Sequence, residues 1–298
     1  MINKYFSEKK WKFLFLGIVS FLGCTITLFS CAQEKTNKNP VGYDLTTPKK
    51  YNMPNILQEI SGITFLNGNS ATVYAEQDEE GKVFVFPLGS KQYTHTKFAK
   101  NGDYEDIAIA KNKLIVLKSN GHLYSFPITE TNKEETTQTV ETKSILPKGE
   151  YEGMYANPIS GQVYVLCKEC KQDKGSKYTS GFVLNVQNDG KFVLVKKFAV
   201  DASSIDALTG RKKGTFHPSA LAQHPVTKDW YIVSAVNKVL VLADRQWKIK
   251  GAYHLSSNIF NQPEGIAFDK TGNLYISNEG SDSQYGNILK FVYQPSKK

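Results

Sequence analysis

Carboxylate and hydroxyl side chains recur at one position of a repeated sequence phrase. The clearest copy of the phrase is residues 262–280, QPEGIAFDKTGNLYISNEG. Alternating apolar residues on both sides of a turn composition predict a β-hairpin. The recurring side chains belong to Ser61, Glu105, Glu152, Ser219 and Glu264. Hard oxygen atoms of this kind suit Ca²⁺ better than zinc, provided that the fold brings them together.

The spacing of the phrase predicts that fold. Successive copies are 44, 47, 67 and 45 residues apart, and no helical pattern lies between them. Repeats of this period are typical of β-propeller blades with four strands each. The sequence therefore predicts an all-β chain that forms a single propeller of five four-stranded blades. A sixth blade would require the 67-residue interval to contain a degenerate copy.

In a propeller, the first strand of each blade lines the central channel. The loops that enter this strand open on the same face as the loops that leave the second strand. The five recurring residues should therefore surround one mouth of the channel. A second set follows the second strands and is predicted to bind a ligand on the same face: Glu76, Asp78, Lys118, Glu169, Asn237 and Glu279.

Two roles are open for the residues at the channel mouth. Like charges around a narrow opening repel unless a cation, water or a hydrogen-bond donor relieves them, which favours a Ca²⁺ or ligand site. Alternatively, each glutamate accepts backbone N–H hydrogen bonds from the neighbouring blade and clasps the two blades together. The glycine that follows the mouth residue in three copies is expected to permit close packing near the axis; these glycines are Gly62, Gly153 and Gly265.

The N-terminus differs from the rest of the chain. Residues 1–30 combine four lysines with a long apolar run, which predicts a secretion signal. The segment that ends at Cys31 resembles the lipobox of bacterial lipoproteins, which implies lipidation of Cys31. An uncleaved membrane anchor and cleavage at Cys24 are the alternatives. Residues 31–42 then form a flexible stalk and residues 43–298 the propeller, with a strand from near Tyr43 to Tyr51 closing the last blade.

Two further cysteines, Cys167 and Cys170, form a CKEC motif. The five histidines of the chain show no partner spacing for a zinc site, so a local disulfide or a place in the core is expected instead. The net charge is +9, but the lysines are scattered and no strand motif combines aromatic with basic residues. Nucleic acid is therefore not an expected partner.

The repeats resemble those of the SdiA-regulated domain family. The resemblance rests on SGITF, YEDIAI, YEGMYA, PSALAQHPVT and PEGIAFDKTGNLYISNE, and it covers roughly residues 55–293. It implies an exported bacterial propeller, distantly similar to phytase-like propellers, with no agreed reaction. The second and fourth copies depart from the acidic residue that family repeats often carry after the second strand, because they have Lys118 and Asn237 there.

These observations favour an exported, lipid-anchored binding module of the bacterial cell envelope, with the outer membrane as the expected location. Its partners would be the membrane, through the lipid, and a small molecule, glycan or protein held at the mouth, with Ca²⁺ as a candidate cofactor. The alternative is a Ca²⁺-dependent hydrolase of phosphoesters or lactones. In that case Glu105, Glu152 or Glu264 would act as ligand or base, and Lys118 or Lys168 would hold the substrate.

Overall fold

The structure is a computed structural model that describes residues 39–210 and 216–295. The predicted signal segment, Cys31 and most of the predicted stalk lie outside the described residues. The described chain folds into five antiparallel sheets of four strands each. The all-β prediction and the count of five blades are confirmed. No helix within the described ranges has the length and apolar character needed to cross a membrane.

Each blade is named here in chain order, and its strands run from the channel outwards. Blade 1 contains β2 (Ile60–Thr64), β3 (Thr72–Gln77), β4 (Lys82–Pro87) and β5 (Thr94–Lys97). Blade 2 contains β6 (Tyr104–Ala110), β7 (Lys113–Lys118), β8 (Leu123–Pro127) and β9 (Val140–Thr142). Blade 3 contains β10 (Gly149–Ala156), β11 (Gln162–Cys170), β12 (Tyr178–Val186) and β13 (Phe192–Asp201).

Blade 4 contains β14 (Ala220–Gln223), β15 (Trp230–Ser234), β16 (Val239–Ala243) and β17 (Ile249–His254). Blade 5 contains β18 (Gln262–Phe268), β19 (Leu274–Glu279), β20 (Asn287–Phe291) and the N-terminal strand β1 (Lys49–Asn52). Short 3₁₀ turns occupy Asn55–Leu57, Leu66–Gly68, Ile128–Asn132 and Lys171–Asp173. The first strands β2, β6, β10, β14 and β18 contact one another in cyclic order, which closes the propeller.

The N-terminal strand completes blade 5, as the sequence predicts. β1 pairs with β20, with Tyr51 opposite Ile288. The strand is shorter than predicted because Asp44 forms a turn: its carboxylate accepts a hydrogen bond from the Thr46 backbone N–H at 2.9 Å. Tyr43 is buried instead, and its hydroxyl donates to the Gly272 carbonyl at 2.5 Å. β1 thus pairs with the last strand of the final repeat, and each of the five sheets of the described chain has four strands.

The 67-residue interval holds a long hairpin and a helix rather than a sixth blade. β12 and β13 extend over 9 and 10 residues, and helix α1 (Ala202–Thr209) follows directly. Asp201 caps this helix, since its carboxylate accepts from the Ser203 and Ser204 backbone N–H groups. The helix ends at Gly210, which adopts a left-handed conformation with φ of 69°.

Apolar side chains fill the spaces between neighbouring sheets, and glycines allow the first strands to approach closely near the axis. A Cβ on Gly62 would lie 2.6 Å from the Ile107 nitrogen in the next blade. A Cβ on Gly265 would lie 2.3 Å from the Ser61 carbonyl oxygen. Both distances are too short for any side chain. The expected packing role of these two glycines is therefore confirmed.

Candidate functional site

The mouth glutamates lie in β-bulges of the first strands. In β6, Tyr104 and Asp106 oppose successive residues of β7, so Glu105 is an extra residue without a partner. Glu264 is the extra residue of β18 in the same way, and Glu152 lies in the bulge of β10. A bulge breaks the regular alternation of a strand and re-aims the side chain that it carries. These bulges therefore determine which side chains of the first strands reach the channel mouth.

Six carboxylates form one electrostatic group at this end of the channel, which we call the acidic mouth. Its members are Glu76, Asp78, Glu105, Glu152, Glu264 and Glu279. Burial is the main cause of the raised pKa in every one, and a neighbouring carboxylate contributes to each shift. The group is thus a set of mutually destabilised negative charges.

Within the acidic mouth, the charge of one carboxylate raises the pKa of the next. Burial and the charge of Glu152 raise the pKa of Glu105 to about 10. Burial and Glu264 raise the pKa of Glu152 to about 7, and burial and Glu279 do the same for Glu264. Burial and Asp78 raise the pKa of Glu279 to about 7. At neutral pH the acidic mouth therefore holds both protons and negative charge.

Three oxygen atoms at this face are buried without a hydrogen-bond partner among the described residues. They are Oε2 of Glu76, Oδ1 of Asp78 and Oδ1 of Asn278. Glu76 is fully buried, and its other oxygen accepts from the Gly62 backbone N–H at 2.6 Å. An ionised carboxylate oxygen or an amide oxygen can only accept a hydrogen bond or bind a cation. A carboxyl group can donate a hydrogen bond only when it is protonated. Leaving them unpaired costs free energy, so the site is suited to a bound donor or cation.

Lys168, in β11, is a cation that reaches the acidic mouth and pairs with one of its carboxylates. Its ammonium group pairs with Glu152 and lies 3.0 Å from a carboxylate oxygen of Glu150. Its charge also opposes the rise in the pKa of Glu105, Glu264 and Glu279. The sequence analysis considered Lys168 only as a substrate clamp and gave the ligand-binding position to its neighbour Glu169.

The other residues predicted after the second strands are not members of this group. The Lys118 ammonium stands 5.5 Å from the centre of the Tyr104 ring. Glu169 is exposed and lines a groove at the end of β11 that Glu150 and Lys168 also line. Asn237 accepts from the Ser234 hydroxyl at 2.9 Å and from the His217 backbone N–H, also at 2.9 Å. Its oxygen thus holds the chain around the start of blade 4.

The two serines of the mouth position are buried, and hydrogen bonds are made by the Ser219 side chain and by the Ser61 backbone carbonyl. The Ser219 hydroxyl accepts from the Ala235 backbone N–H at 3.2 Å and hydrogen-bonds the Glu264 carboxylate. The Ser61 carbonyl accepts from the Ser277 hydroxyl at 2.5 Å, which links blade 5 to blade 1. Ser219 therefore stabilises the charged form of Glu264 across a blade interface.

An aspartate that the sequence analysis missed makes the interblade clasp. The buried carboxylate of Asp106 accepts from the Ile107 backbone N–H at 2.8 Å and from the Met154 N–H at 2.7 Å. Ile107 belongs to blade 2 like Asp106, and Met154 belongs to blade 3, so the second hydrogen bond joins blades 2 and 3. Because of the bulge in β6, Asp106 rather than Glu105 makes the interblade hydrogen bond. Its only sequence signal is the Glu-Asp pair in YEDIAI.

The oxygen donors of the acidic mouth suit Ca²⁺ in kind but do not form a closed cage. In residues 39–210 and 216–295, the one set of three His, Cys, Asp or Glu ligand atoms within 4.8 Å of one another is Cys167, Cys170 and Asp173. Cys167 and Cys170 are joined in a disulfide, so they are not metal ligands. No three mouth carboxylates among the described residues bring ligand atoms within 4.8 Å of one another, so a Ca²⁺ ion there would need carbonyl or water oxygens to complete its six to eight ligands.

The fold and the site define a class: a five-bladed β-propeller with a carboxylate-rich channel mouth. The chain belongs to the SdiA-regulated family, whose model matches residues 36–282. A search of curated protein sequences found no match.

Solved structures with the same fold include proteins of different chemistry. Glutaminyl cyclase of Myxococcus xanthus is 14% identical with a TM-score of 0.55, covering 87% of this chain and all of that one. A luciferin-regenerating enzyme is 11% identical with a TM-score of 0.52, covering 83% of this chain and 95% of the other. At such identities the likeness concerns the fold alone, so the function has to be argued from the site.

Proposed function

We propose that the protein is a binding module whose acidic mouth takes a positively charged group of its ligand. The observation that carries the proposal is the pair of buried, unpartnered carboxylate oxygens of Glu76 and Asp78 among the described residues. A cation placed there would supply the missing partner and offset the repulsion between the mouth carboxylates. Binding energy would come from charge-assisted hydrogen bonds in a site that is already largely desolvated.

An organic ammonium or guanidinium group suits the mouth better than a single metal ion. Such a group presents several N–H donors that reach acceptors about 2.7–2.9 Å away in different directions. It can therefore bridge carboxylates that do not converge on one point. The ligand class would be a small amine or a basic peptide or protein segment. Ca²⁺ serves as the comparison, because it shares the charge but demands convergent oxygens.

Binding is preferred over hydrolysis for a structural reason. The carboxylates of Glu152 and Glu264 have pKa values of about 7, which would suit an acid or a base. A Ca²⁺-dependent hydrolase also needs a metal that polarises the bond and a cation that holds the substrate. Lys168 is already paired with Glu152, and Lys118 lies against Tyr104. A binding function requires neither a closed metal site nor an additional lysine that holds a substrate.

We also propose that the propeller is exported and attached to the bacterial cell envelope through a lipid on Cys31, with residues 31–42 as its stalk. The sequence of residues 1–31 supports this proposal. Metabolic labelling with an alkyne fatty acid tests it. The wild-type protein should be labelled and should fractionate with membranes, and a Cys31→Ser variant should lose both properties. An unlabelled wild-type protein would contradict the anchor.

The binding proposal is tested by calorimetric titration of spermidine and, separately, of Ca²⁺ at low salt and pH 8. Wild-type protein should bind spermidine, with an affinity that falls as salt is added, and Ca²⁺ more weakly. A Glu152→Gln/Glu264→Gln variant should lose most of the spermidine affinity. The matched control is Glu134→Gln/Glu135→Gln, which removes two exposed carboxylates that are not members of the acidic mouth. Equal losses in both variants, or no spermidine binding by the wild type, would overturn the proposal.

A further inference from the structure

We infer that the disulfide between Cys167 and Cys170 positions Lys168 as a tethered cation that competes with the ligand for the acidic mouth. This inference rests on the proposed function, because it concerns the same carboxylates. It assigns a role to a disulfide and to a lysine that the binding proposal leaves unused. Their effect would be to set the affinity of the mouth for a cation.

Lys168 reaches the mouth because it lies in a bulge of β11. Glu150 of β10 is opposite Glu169, and the next residue, Tyr151, is opposite Cys167. Lys168 is therefore an extra residue between two paired ones, and its side chain leaves the regular alternation of the strand. Without the bulge, the side chains of β11 would alternate regularly between the two faces of the sheet, and Lys168 would follow that alternation.

The disulfide spans this bulge. It joins the residue before Lys168 to the second residue after it, and both cysteines are buried. Cys170 is fixed further by its pairing with Gly149, whose missing Cβ leaves room for the Cys170 sulfur. A covalent link across so short a loop removes conformations in which the loop extends or the strand slips by one residue. The bulge, and with it the direction of Lys168, is thereby held.

The ammonium group of Lys168 already occupies part of the space that a ligand cation would use. It pairs with Glu152, and its side chain is 25% exposed, so it is held at the rim of the buried carboxylates. Burial opposes its charge, but Glu152 and Glu150 outweigh that effect and raise the pKa of Lys168. The lysine therefore stays charged at any pH at which the mouth carboxylates titrate, and a second cation must share or displace it.

Lys118 offers a matched comparison. It ends β7 in blade 2, as Lys168 lies near the end of β11 in blade 3. Its ammonium faces the Tyr104 ring at 5.5 Å rather than a mouth carboxylate. The Lys238 ammonium donates to the Asn261 carbonyl, and its charge also favours the ionised form of Glu264. Removing Lys118 should therefore leave the charge of the mouth unchanged, whereas removing Lys168 should make it more negative.

The positioning is tested without any ligand by NMR of the lysine ammonium groups. A hydrogen-bonded ammonium exchanges its protons slowly enough to give a ¹H–¹⁵N signal at low temperature. The wild-type protein should show a signal that a Lys168→Met variant lacks. A Cys167→Ala/Cys170→Ala variant should lose the same signal while keeping a folded backbone spectrum. Retention of the signal in the folded cysteine variant would overturn the inference.

Reduction provides a second route to the same state if the double cysteine variant fails to fold. Dithiothreitol gives two electrons and two protons to the Cys167–Cys170 bond and is itself oxidised to a cyclic disulfide. The wild-type protein reduced in this way should lose the Lys168 ammonium signal, and reoxidation should restore it. A reduced protein that keeps the signal would contradict the positioning role.

The competition is tested by the affinity for spermidine at pH 8. Lys168→Met and the cysteine variant should both bind spermidine about tenfold more tightly than the wild type, because a positive charge has left the site. Lys118→Met should bind like the wild type. Unchanged affinity in Lys168→Met would overturn the competition. Absence of spermidine binding in every form would instead refute the proposed function, while the ammonium signal would still decide whether the disulfide positions the lysine.

Discussion

Replacement of Glu264 by glutamine should change how the stability of the protein depends on pH. Glu264 is a member of the acidic mouth, and burial and the charge of Glu279 raise its pKa to about 7 from a usual value of 4.5. Glutamine has the shape of the neutral carboxyl and can accept the hydrogen bond of Ser219, but it cannot ionise. The substitution therefore removes one titrating group with little change in packing.

The sign and size of the effect follow from linkage. A carboxyl whose pKa is higher in the folded state than in the unfolded state takes up a proton on folding between these two values. Its contribution to stability is complete below the unfolded pKa and is lost as the pH rises through the folded pKa. For a change from 4.5 to about 7, the loss between pH 5 and pH 8 is about 2.5 kcal/mol.

The assay is urea unfolding at pH 5, 6, 7 and 8, followed by tryptophan fluorescence. Trp230 is buried and stacks on Trp247 with ring centroids 4.5 Å apart, so unfolding of blade 4 alters its emission. The wild-type free energy of unfolding should fall from pH 5 to pH 8, and that of Glu264→Gln should fall by about 2.5 kcal/mol less. The control Glu135→Gln, at an exposed ion pair, should follow the wild type. If Glu264→Gln and the wild type had the same pH dependence, Glu264 would not titrate in a buried cluster and the reasoning would be refuted.

Three further substitutions test the blade contacts. Asp106→Ala should lower the free energy of unfolding by about 2–4 kcal/mol, because two buried N–H groups, including that of Met154, lose their acceptor. Urea unfolding measures this change, and a loss below about 1 kcal/mol would contradict the clasp. Gly265→Ala should cost about 1–3 kcal/mol, since its Cβ would lie 2.3 Å from the Ser61 carbonyl oxygen; an unchanged melting temperature would argue against this close approach. Deletion of residues 1–52 removes β1 and exposes the edge of β20. The shortened chain should therefore aggregate, which light scattering detects, or melt at a much lower temperature than the full chain. A monomer of equal stability would contradict closure by β1.

The fold could be predicted from the sequence because its signals are local and repeated. Apolar alternation with Gly-containing turns, as in residues 262–280, specifies each hairpin, and the period of the phrase specifies the blade. Closure by an N-terminal strand followed from the three strands of the last repeat. The exact start of that strand could not be predicted, because the side-chain hydrogen bonds of Asp44 convert the residues after Tyr43 into a turn.

The site was harder to predict because its geometry depends on strand register. A bulge moves a role by one residue without changing the sequence pattern. For this reason the sequence analysis considered Glu105 rather than Asp106 for the clasp, and gave the ligand-binding position to Glu169 rather than to Lys168. The burial of Glu76 was equally hidden, since a glutamate near the end of a strand is ordinarily solvated. The sequence analysis placed the six mouth carboxylates on this face together with Glu169, which is not a member of the acidic mouth, and it did not predict the hydrogen-bond and ion-pair partners of these groups.

The most direct test of a cation site at the mouth is a pH titration of the protein with ¹³C-labelled glutamate and aspartate side chains, with and without spermidine. The account predicts that several carboxyl signals titrate near or above pH 7 in the free protein, and that spermidine lowers these midpoints, because a bound cation favours the ionised form. The same signals should change in shift when Glu152 or Glu264 is replaced. Raised midpoints that stay unchanged with spermidine would show that the acidic mouth is buried without binding a cation, and would contradict the central claim.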